Sequence, residues 1–137
     1  MNVFLDSSAL AKRYLEEQGS DEVEKICAKA NQITVSIICL PEIYSAINRK
    51  KRDGNISNQH FQSIKQILLK EFEDFMVCPL STEIITVVLG YLERYSLKTM
   101  DAIHLASAED FQADLFVSSD VKQLEAARTL RLKVQRV

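Results

Sequence analysis

Residues 2–10 of this 137-residue chain are NVFLDSSAL, a short apolar run that meets an acidic residue and continues into a helix-forming segment. A brief, wholly apolar run is typical of a strand that is buried on both faces of a parallel sheet. Similar runs, each next to a segment of helical periodicity, recur along the chain. We therefore predict five strands, at residues 3–5, 33–38, 75–78, 115–117 and 132–137.

Helical segments alternate with these strands. Apolar residues at intervals of three and four predict amphipathic helices at about 7–17, 20–30, 41–52, 57–73, 82–96, 101–111 and 121–130. Alternation of strands and helices predicts an α/β domain with a mostly parallel sheet of about five strands. A chain with 47% apolar and 26% charged residues and only three Gly fits one domain over residues 1–137.

Charge and cysteine content limit the possible functions. The 17 basic and 19 acidic residues give a net charge of −2, so any nucleic acid would have to be bound by a local basic patch. The three cysteines form no C-x-x-C pair, which argues against a disulfide framework or a zinc site and favours a reducing cytoplasm. The chain has no visible signal peptide and no apolar run of membrane-spanning length, so we expect a cytoplasmic protein without a membrane segment.

Four acidic residues begin helices, and three of them follow a predicted strand: Asp6, Glu42, Asp101 and Asp120. Each alone is explained by helix capping, since acids are favoured at helix N-termini. Taken together they favour one acidic pocket, because residues at the carboxyl ends of parallel strands converge on the same crevice. Clustered carboxylates need a compensating cation, and oxygen-only ligands suit Mg2+ or Mn2+.

Several short motifs resemble the PIN-domain family, and within it the VapC-like toxin ribonucleases: FLDSSALAKRYL (4–15), PEIYSAI (41–47), LKTMDAIHLASA (97–108) and FVSSD (116–120). The resemblance spans nearly the whole chain. It implies an α/β/α sandwich and a Mg2+- or Mn2+-dependent endoribonuclease that acts as the toxin of a toxin-antitoxin pair. It also implies a cognate antitoxin protein and a homodimer.

The resemblance also assigns site residues. Asp6, Glu42, Asp101 and Asp120 would be the catalytic and metal-binding acids, and Ser118 would support a carboxylate as a hydrogen-bond donor. We expect the three aspartates to hold the principal metal ion. The glutamate would ligate a second ion or accept a proton from the attacking water. Some relatives carry a further acid after the fourth, whereas residues 121–123 are VKQ here, which argues against tight binding of a second ion.

Local basic residues are candidates for RNA contact. Lys12 and Arg13 follow the first acid, and Lys98 lies three residues before the third. The basic run at 49–52 is better explained by the dipole of the helix that it ends. We interpret His104, within an apolar stripe, as a partly buried, hydrogen-bonded structural residue, because acidic Mg2+ sites rarely require imidazole.

Two other functions remain open. Asp6 after the first strand could be the nucleophile of an aspartyl-phosphate phosphatase, although a haloacid-dehalogenase-type enzyme would have an acid at position 8, which is Ser8 here. A catalytically silent binding module is the other alternative. For the antitoxin we predict an apolar groove near the helices at 20–30 and 41–52. For the homodimer we predict the apolar helix at 82–96, whose alternative explanation is deep burial.

Overall fold

The sheet has five strands that all run parallel, in the order β3-β2-β1-β4-β5. The computed structural model describes residues 1–137. The strands are β1 (Asn2–Leu5), β2 (Gln32–Ser36), β3 (Met76–Cys78), β4 (Leu115–Ser118) and β5 (Val134–Arg136). The prediction of an α/β fold with a central parallel sheet of about five strands is confirmed.

Seven α-helices connect these strands: α1 (Ser7–Leu10), α2 (Ser20–Lys29), α3 (Cys39–Arg52), α4 (Asn58–Asp74), α5 (Thr82–Arg94), α6 (Thr99–Asp110) and α7 (Val121–Thr129). A 3-10 turn, Ala11–Arg13, continues the first of them. None combines the length and the apolar character needed to cross a membrane.

Most element bounds differ from the sequence prediction by one or two residues, and two of the differences involve an identified contact. The helix predicted over 7–17 gives way to the 3-10 turn after Leu10, and the chain then turns into α2 at Gly19, where a φ of 95° is tolerated. Lys12 Nζ stabilises this reversal by donating to the carbonyl of Gln18 at 2.6 Å. The strand predicted to reach residue 38 ends at Ser36, whose hydroxyl accepts the N–H of Ile38 and starts the turn into α3.

The core has two layers because successive strand residues point to opposite faces of the sheet. One layer packs the sheet against α5, α6 and α7, and its centre is the stacked ring pair of Phe4 and Phe116, 5.6 Å apart. The other layer packs Val3, Leu5 and Val117 against helices of the opposite face. These layers make the α/β/α sandwich, and they hold the carboxyl ends of β1 and β4 side by side.

Helix α5 is apolar on two faces, and only one is buried in the chain. Ile84 and Val88 belong to the core, while Ile85 and Leu89, which lie one turn apart on another face, are 37% and 59% exposed. Deep burial between neighbouring helices therefore does not explain the outer face.

An apolar groove of about 580 Å³ lies between α3 and α4, lined by Leu40, Pro41, Tyr44, Ser45, Lys65 and Leu69. The sequence predicted a groove near the helices at 20–30 and 41–52. The assignment of α3 is correct, but α2 does not line this groove, because its apolar residues Val23 and Ile26 are buried against the core.

Candidate active site

All four predicted acids lie at helix starts. Asp6 and Asp120 are the N-caps of α1 and α7, and each accepts a backbone N–H of its own helix. Glu42 and Asp101 lie in the first turns of α3 and α6 without capping bonds of their own. Helix capping thus explains part of the role of Asp6 and Asp120, but it does not explain the positions of Glu42 and Asp101.

Asp6 is fixed in place by its neighbours. It is only 3% exposed and accepts hydrogen bonds from the Ser8 hydroxyl at 2.7 Å, the Ala9 N–H at 2.9 Å and the Ser118 hydroxyl at 2.7 Å. Burial raises the pKa of Asp6, and the nearby His104 and these three donors only partly oppose the rise. Asp6 is therefore a rigid carboxylate with little contact with water.

Ser118 and Gln123 join the elements around Asp6. Ser118 Oγ accepts the N–H of Asp120 at 2.9 Å and lies 2.8 Å from Gln123 Oε1. Gln123 Nε2 donates to the carbonyl of Asp101 at 3.0 Å, so this buried amide connects β4, α6 and α7. Sequence reasoning missed this role. The sequence signal for this role was the position of Gln123, a polar residue three positions after the cap Asp120 and four before Ala127. This spacing puts it on the buried face of α7.

Asp101 carries the clearest sign that the acids converge. Its carbonyl accepts a hydrogen bond, but its carboxylate accepts none from the chain. Partial burial raises the pKa of Asp101, and the negative charges of Asp120, Asp6 and Glu42 raise it further, against an opposing effect of His104. Since these charges come from separate parts of the chain, the fold gathers the four acids at one edge of the sheet.

Glu42 is held by two partners that act on one oxygen. Its Oε1 accepts the hydroxyl of Ser7 and lies near His104 Nε2, at 2.6 Å in each case. Partial burial would raise the pKa of Glu42, but the hydrogen bond and charge of His104 and the bond from Ser7 hold it below its ordinary value. His104 is hydrogen-bonded, as predicted, but at 1% exposed it is more deeply buried than the partly buried residue that the sequence predicted. Its link to a predicted site acid was not foreseen.

The donors at this edge suit a hard divalent cation, because they are carboxylates without a thiolate and their like charges raise the pKa of Asp101. Their side chains are not arranged as a ready ligand set: no three carboxylate, imidazole or thiolate groups have the mutual geometry of a metal site. The chemistry of the residues therefore fits Mg2+ or Mn2+, and the side chains would have to adjust on binding.

Arg13, which the sequence predicted as an RNA contact, forms ion pairs within the chain. Its guanidinium contacts Glu71 at 2.7 Å and Glu24 at 3.3 Å, so two carboxylates already compensate its charge. Lys12, whose side chain is 11% exposed, donates to a backbone carbonyl. Lys98 is exposed at the N-cap of α6 and forms no ion pair within 4.0 Å.

Two further basic residues flank the acidic edge. Arg49 lines a cavity of about 420 Å³ together with Glu42 and Met100. Arg136, at the carboxyl end of β5, lines a cleft of about 430 Å³ with Lys12 and others. Sequence analysis attributed the first to the helix dipole and did not consider the second, because only the strand register places β5 beside β4.

The acidic edge lies in a chain whose residues 3–129 match the family model of the PIN domain. This chain belongs to the PIN domain family. No match was found among curated proteins. The predicted resemblance to this family is therefore confirmed over most of the chain.

Solved structures share the fold of this PIN domain. VapC20 from Mycobacterium tuberculosis, described as a sarcin-ricin loop cleaving toxin, is 16% identical with a TM-score of 0.72 and covers 90% of this chain and 94% of its own. A toxin-antitoxin complex from Klebsiella pneumoniae is 18% identical with a TM-score of 0.67, and the match covers 89% of this chain and 89% of that chain. VapBC2 from Rickettsia felis, bound to a DNA fragment from their promoter, is 16% identical with a TM-score of 0.70. This match covers 100% of this chain and 99% of that chain. At these identities the likeness establishes the fold.

Proposed function

We propose that this PIN domain is a metal-dependent endoribonuclease that hydrolyses RNA phosphodiester bonds as the toxin of a toxin-antitoxin pair. The observation that carries the proposal is the convergence of three carboxylates, those of Asp6, Glu42 and Asp120, on Asp101, whose own carboxylate oxygens have no hydrogen-bond partner in the chain. The family membership of the chain and the toxin described for one structural neighbour support it.

Mg2+ or Mn2+ would be held by Asp6, Asp101 and Asp120, directly or through water. A bound divalent cation supplies charge compensation for the phosphate and lowers the pKa of an attacking water. The protein contributes position: Ser118 fixes the orientation of Asp6, while Asp101 keeps both carboxylate oxygens available. Glu42 would ligate a second ion or accept the proton of the attacking water.

The RNA backbone needs local positive charge to approach this edge. We assign that role to Lys98, which is exposed, and to Arg49, which lines a cavity with Glu42. Arg13 is left out because its charge is already compensated by carboxylates. Lys12 is left out because its side chain is 11% exposed, contacts Glu17 and donates to the carbonyl of Gln18.

The alternatives receive less support. An aspartyl-phosphate phosphatase of the haloacid-dehalogenase type would need an acid two residues after Asp6, but that residue is Ser8, whose hydroxyl donates to Asp6. A silent binding module would not require four coupled carboxylates, although binding alone could use the same pocket.

The proposal includes protein partners. The apolar groove between α3 and α4 would take an apolar segment of the antitoxin, and the outer face of α5 would form the homodimer. We place the protein in the cytoplasm, since its three cysteines are unpaired.

The test is cleavage of labelled structured RNAs by the purified protein with Mn2+, with Mg2+ and with a chelator. We expect metal-dependent cutting that is abolished by Asp101→Asn, which preserves size and removes the charge. Asp74→Asn, at an exposed acid at the end of α4, is the matched control and should cut normally. A folded, metal-binding wild type that cuts no transfer, ribosomal or messenger RNA would contradict the proposal, and equal cutting by Asp101→Asn would reveal a contaminating nuclease.

A further inference from the structure

Glu42 uses its two carboxylate oxygens differently. Oε1 accepts the Ser7 hydroxyl and contacts His104 Nε2, each at 2.6 Å, and the two partners lie 3.1 Å from each other. Oε2 has no hydrogen-bond partner in the chain. The Glu42 side chain is 32% exposed and lines the cavity shared with Arg49, whereas His104 is almost completely buried.

The hydrogen-bond network places a proton on Nε2 of His104. The Ser7 proton is donated to Glu42, so the short contact of Nε2 with the same carboxylate requires a proton on Nε2. The other ring nitrogen, Nδ1, is buried without a partner. The imidazole therefore has one polar contact group, and that group is the glutamate with its serine.

We infer that Ser7 and His104 are positioning residues that hold Glu42 by Oε1 and leave Oε2 free to act at the acidic edge. They come from α1 and α6, so the three side chains connect the helices that follow β1 and β2 to the helix that carries Asp101. The inference rests on the proposed nuclease function for its catalytic consequence. Its structural part, the assignment of the two donors to one oxygen, stands without it.

Fixing a glutamate matters because its side chain has several rotamers, and a carboxylate that must act on water or a metal has to be held in one of them. Loss of such supporting partners typically lowers metal affinity or activity by about 10- to 100-fold. If only Ser7 or only His104 bound Oε1, the Glu42 carboxylate could still rotate about that single hydrogen bond.

The first test compares Ser7→Ala, His104→Leu and His104→Gln in RNA cleavage with Mn2+. We expect kcat to fall roughly tenfold or more in the first two variants, with the KM for RNA unchanged, because substrate binding does not involve the hidden Oε1. His104→Gln should retain most of the kcat that His104→Leu loses. Leucine and glutamine both fill the space of the imidazole, but only glutamine offers an N–H donor near the position of Nε2. Ser63→Ala and His60→Gln, at exposed positions of α4, are the matched controls.

A Glu42→Ala background separates positioning from general damage to the fold. There, Ser7→Ala should cause no further loss of kcat, because its only action is through the removed carboxylate. An equal fold-loss in both backgrounds would overturn the inference. Ser7 lies at a partly exposed helix start, so this variant tests the idea even where His104→Leu destabilises the chain.

A second measurement does not depend on cleavage. A long-range 1H–15N spectrum of the metal-free protein should show His104 with a proton on Nε2, and Glu42→Ala should shift the Nε2–H resonance. A ring whose Nε2 carries no proton would overturn the inference even if the protein cuts RNA. Conversely, the expected spectrum in a protein without any cleavage would keep the two contacts and reject the nuclease function.

Discussion

Replacement of Ser118 by alanine should strongly lower the free energy of unfolding, although it removes only one oxygen atom. Ser118 is fully buried, and its hydroxyl donates to Asp6 and accepts the N–H of Asp120. A hydrogen bond to a charged group contributes about 1.5–3 kcal/mol, and a buried N–H left without an acceptor costs about 1–3 kcal/mol. Allowing for relaxation, we expect a loss of about 2–4 kcal/mol in the free energy of unfolding.

The assay is thermal unfolding followed by circular dichroism at pH 8. A chain of 137 residues has an unfolding entropy of about 0.29 kcal/mol/K, so the loss corresponds to a fall in Tm of about 7–14 °C. Ser119→Ala is the control, because the Ser119 hydroxyl is buried without a partner. We expect its Tm to stay within about 2 °C of the wild type, as for a substitution that removes no interaction.

The loss should also depend on pH. The folded-state pKa of Asp6 is raised above 3.8, so the folded protein retains this proton longer than the unfolded chain does. Stability from this group therefore falls as pH rises from about 4 through the folded-state pKa, and remains low above it. Ser118→Ala removes a donor to the charged form, so its effect should be larger at pH 8 than at pH 4. Equal Tm shifts for Ser118→Ala and Ser119→Ala, or a larger effect at pH 4, would refute the reasoning.

Three further outcomes follow from the structure. Asp101→Asn should raise Tm at pH 7 while abolishing cleavage, because the raised pKa of Asp101 means that its ionised form disfavours folding above that pKa; an unchanged Tm would contradict the coupling of the four acids. Phe116→Ala should lower the unfolding free energy by about 3–5 kcal/mol, or Tm by about 10–17 °C, because it leaves a cavity beside the stacked ring, as urea unfolding can check. Lys98→Gln should weaken RNA binding and reduce the salt slope of log Kd by roughly one, whereas Arg13→Gln should change stability and leave the slope unaltered.

Much of the architecture could be predicted because its signals are local. Each strand is a short apolar run, and the helices show clear periodicity, so the α/β class followed from the chain alone. The errors lie where local preference met a tertiary contact. The segment after Leu10 has helical periodicity, but there the chain forms a 3-10 turn in which Lys12 donates to the carbonyl of Gln18.

The site was only partly accessible to the same reasoning. The four acids stood out because each begins a helix and parallel strands end at one edge of a sheet. The roles of Ser7, His104 and Gln123 did not, because their partners are 35, 62 and 22 residues away in the chain. The pairing of Arg13 with Glu71 was hidden for the same reason, at a separation of 58 residues.

The sequence by itself therefore determined which residues could form the strands and which acids stand at their ends, since both depend on neighbours along the chain. Only the tertiary structure decided which oxygen of Glu42 is occupied, that Asp6 is buried while the carboxylate of Asp101 has no partner, and that Arg13 is compensated. Those outcomes depend on burial and on contacts between segments that are distant in the sequence. Both change the free energy of a charged side chain, but neither produces a periodic pattern in the sequence.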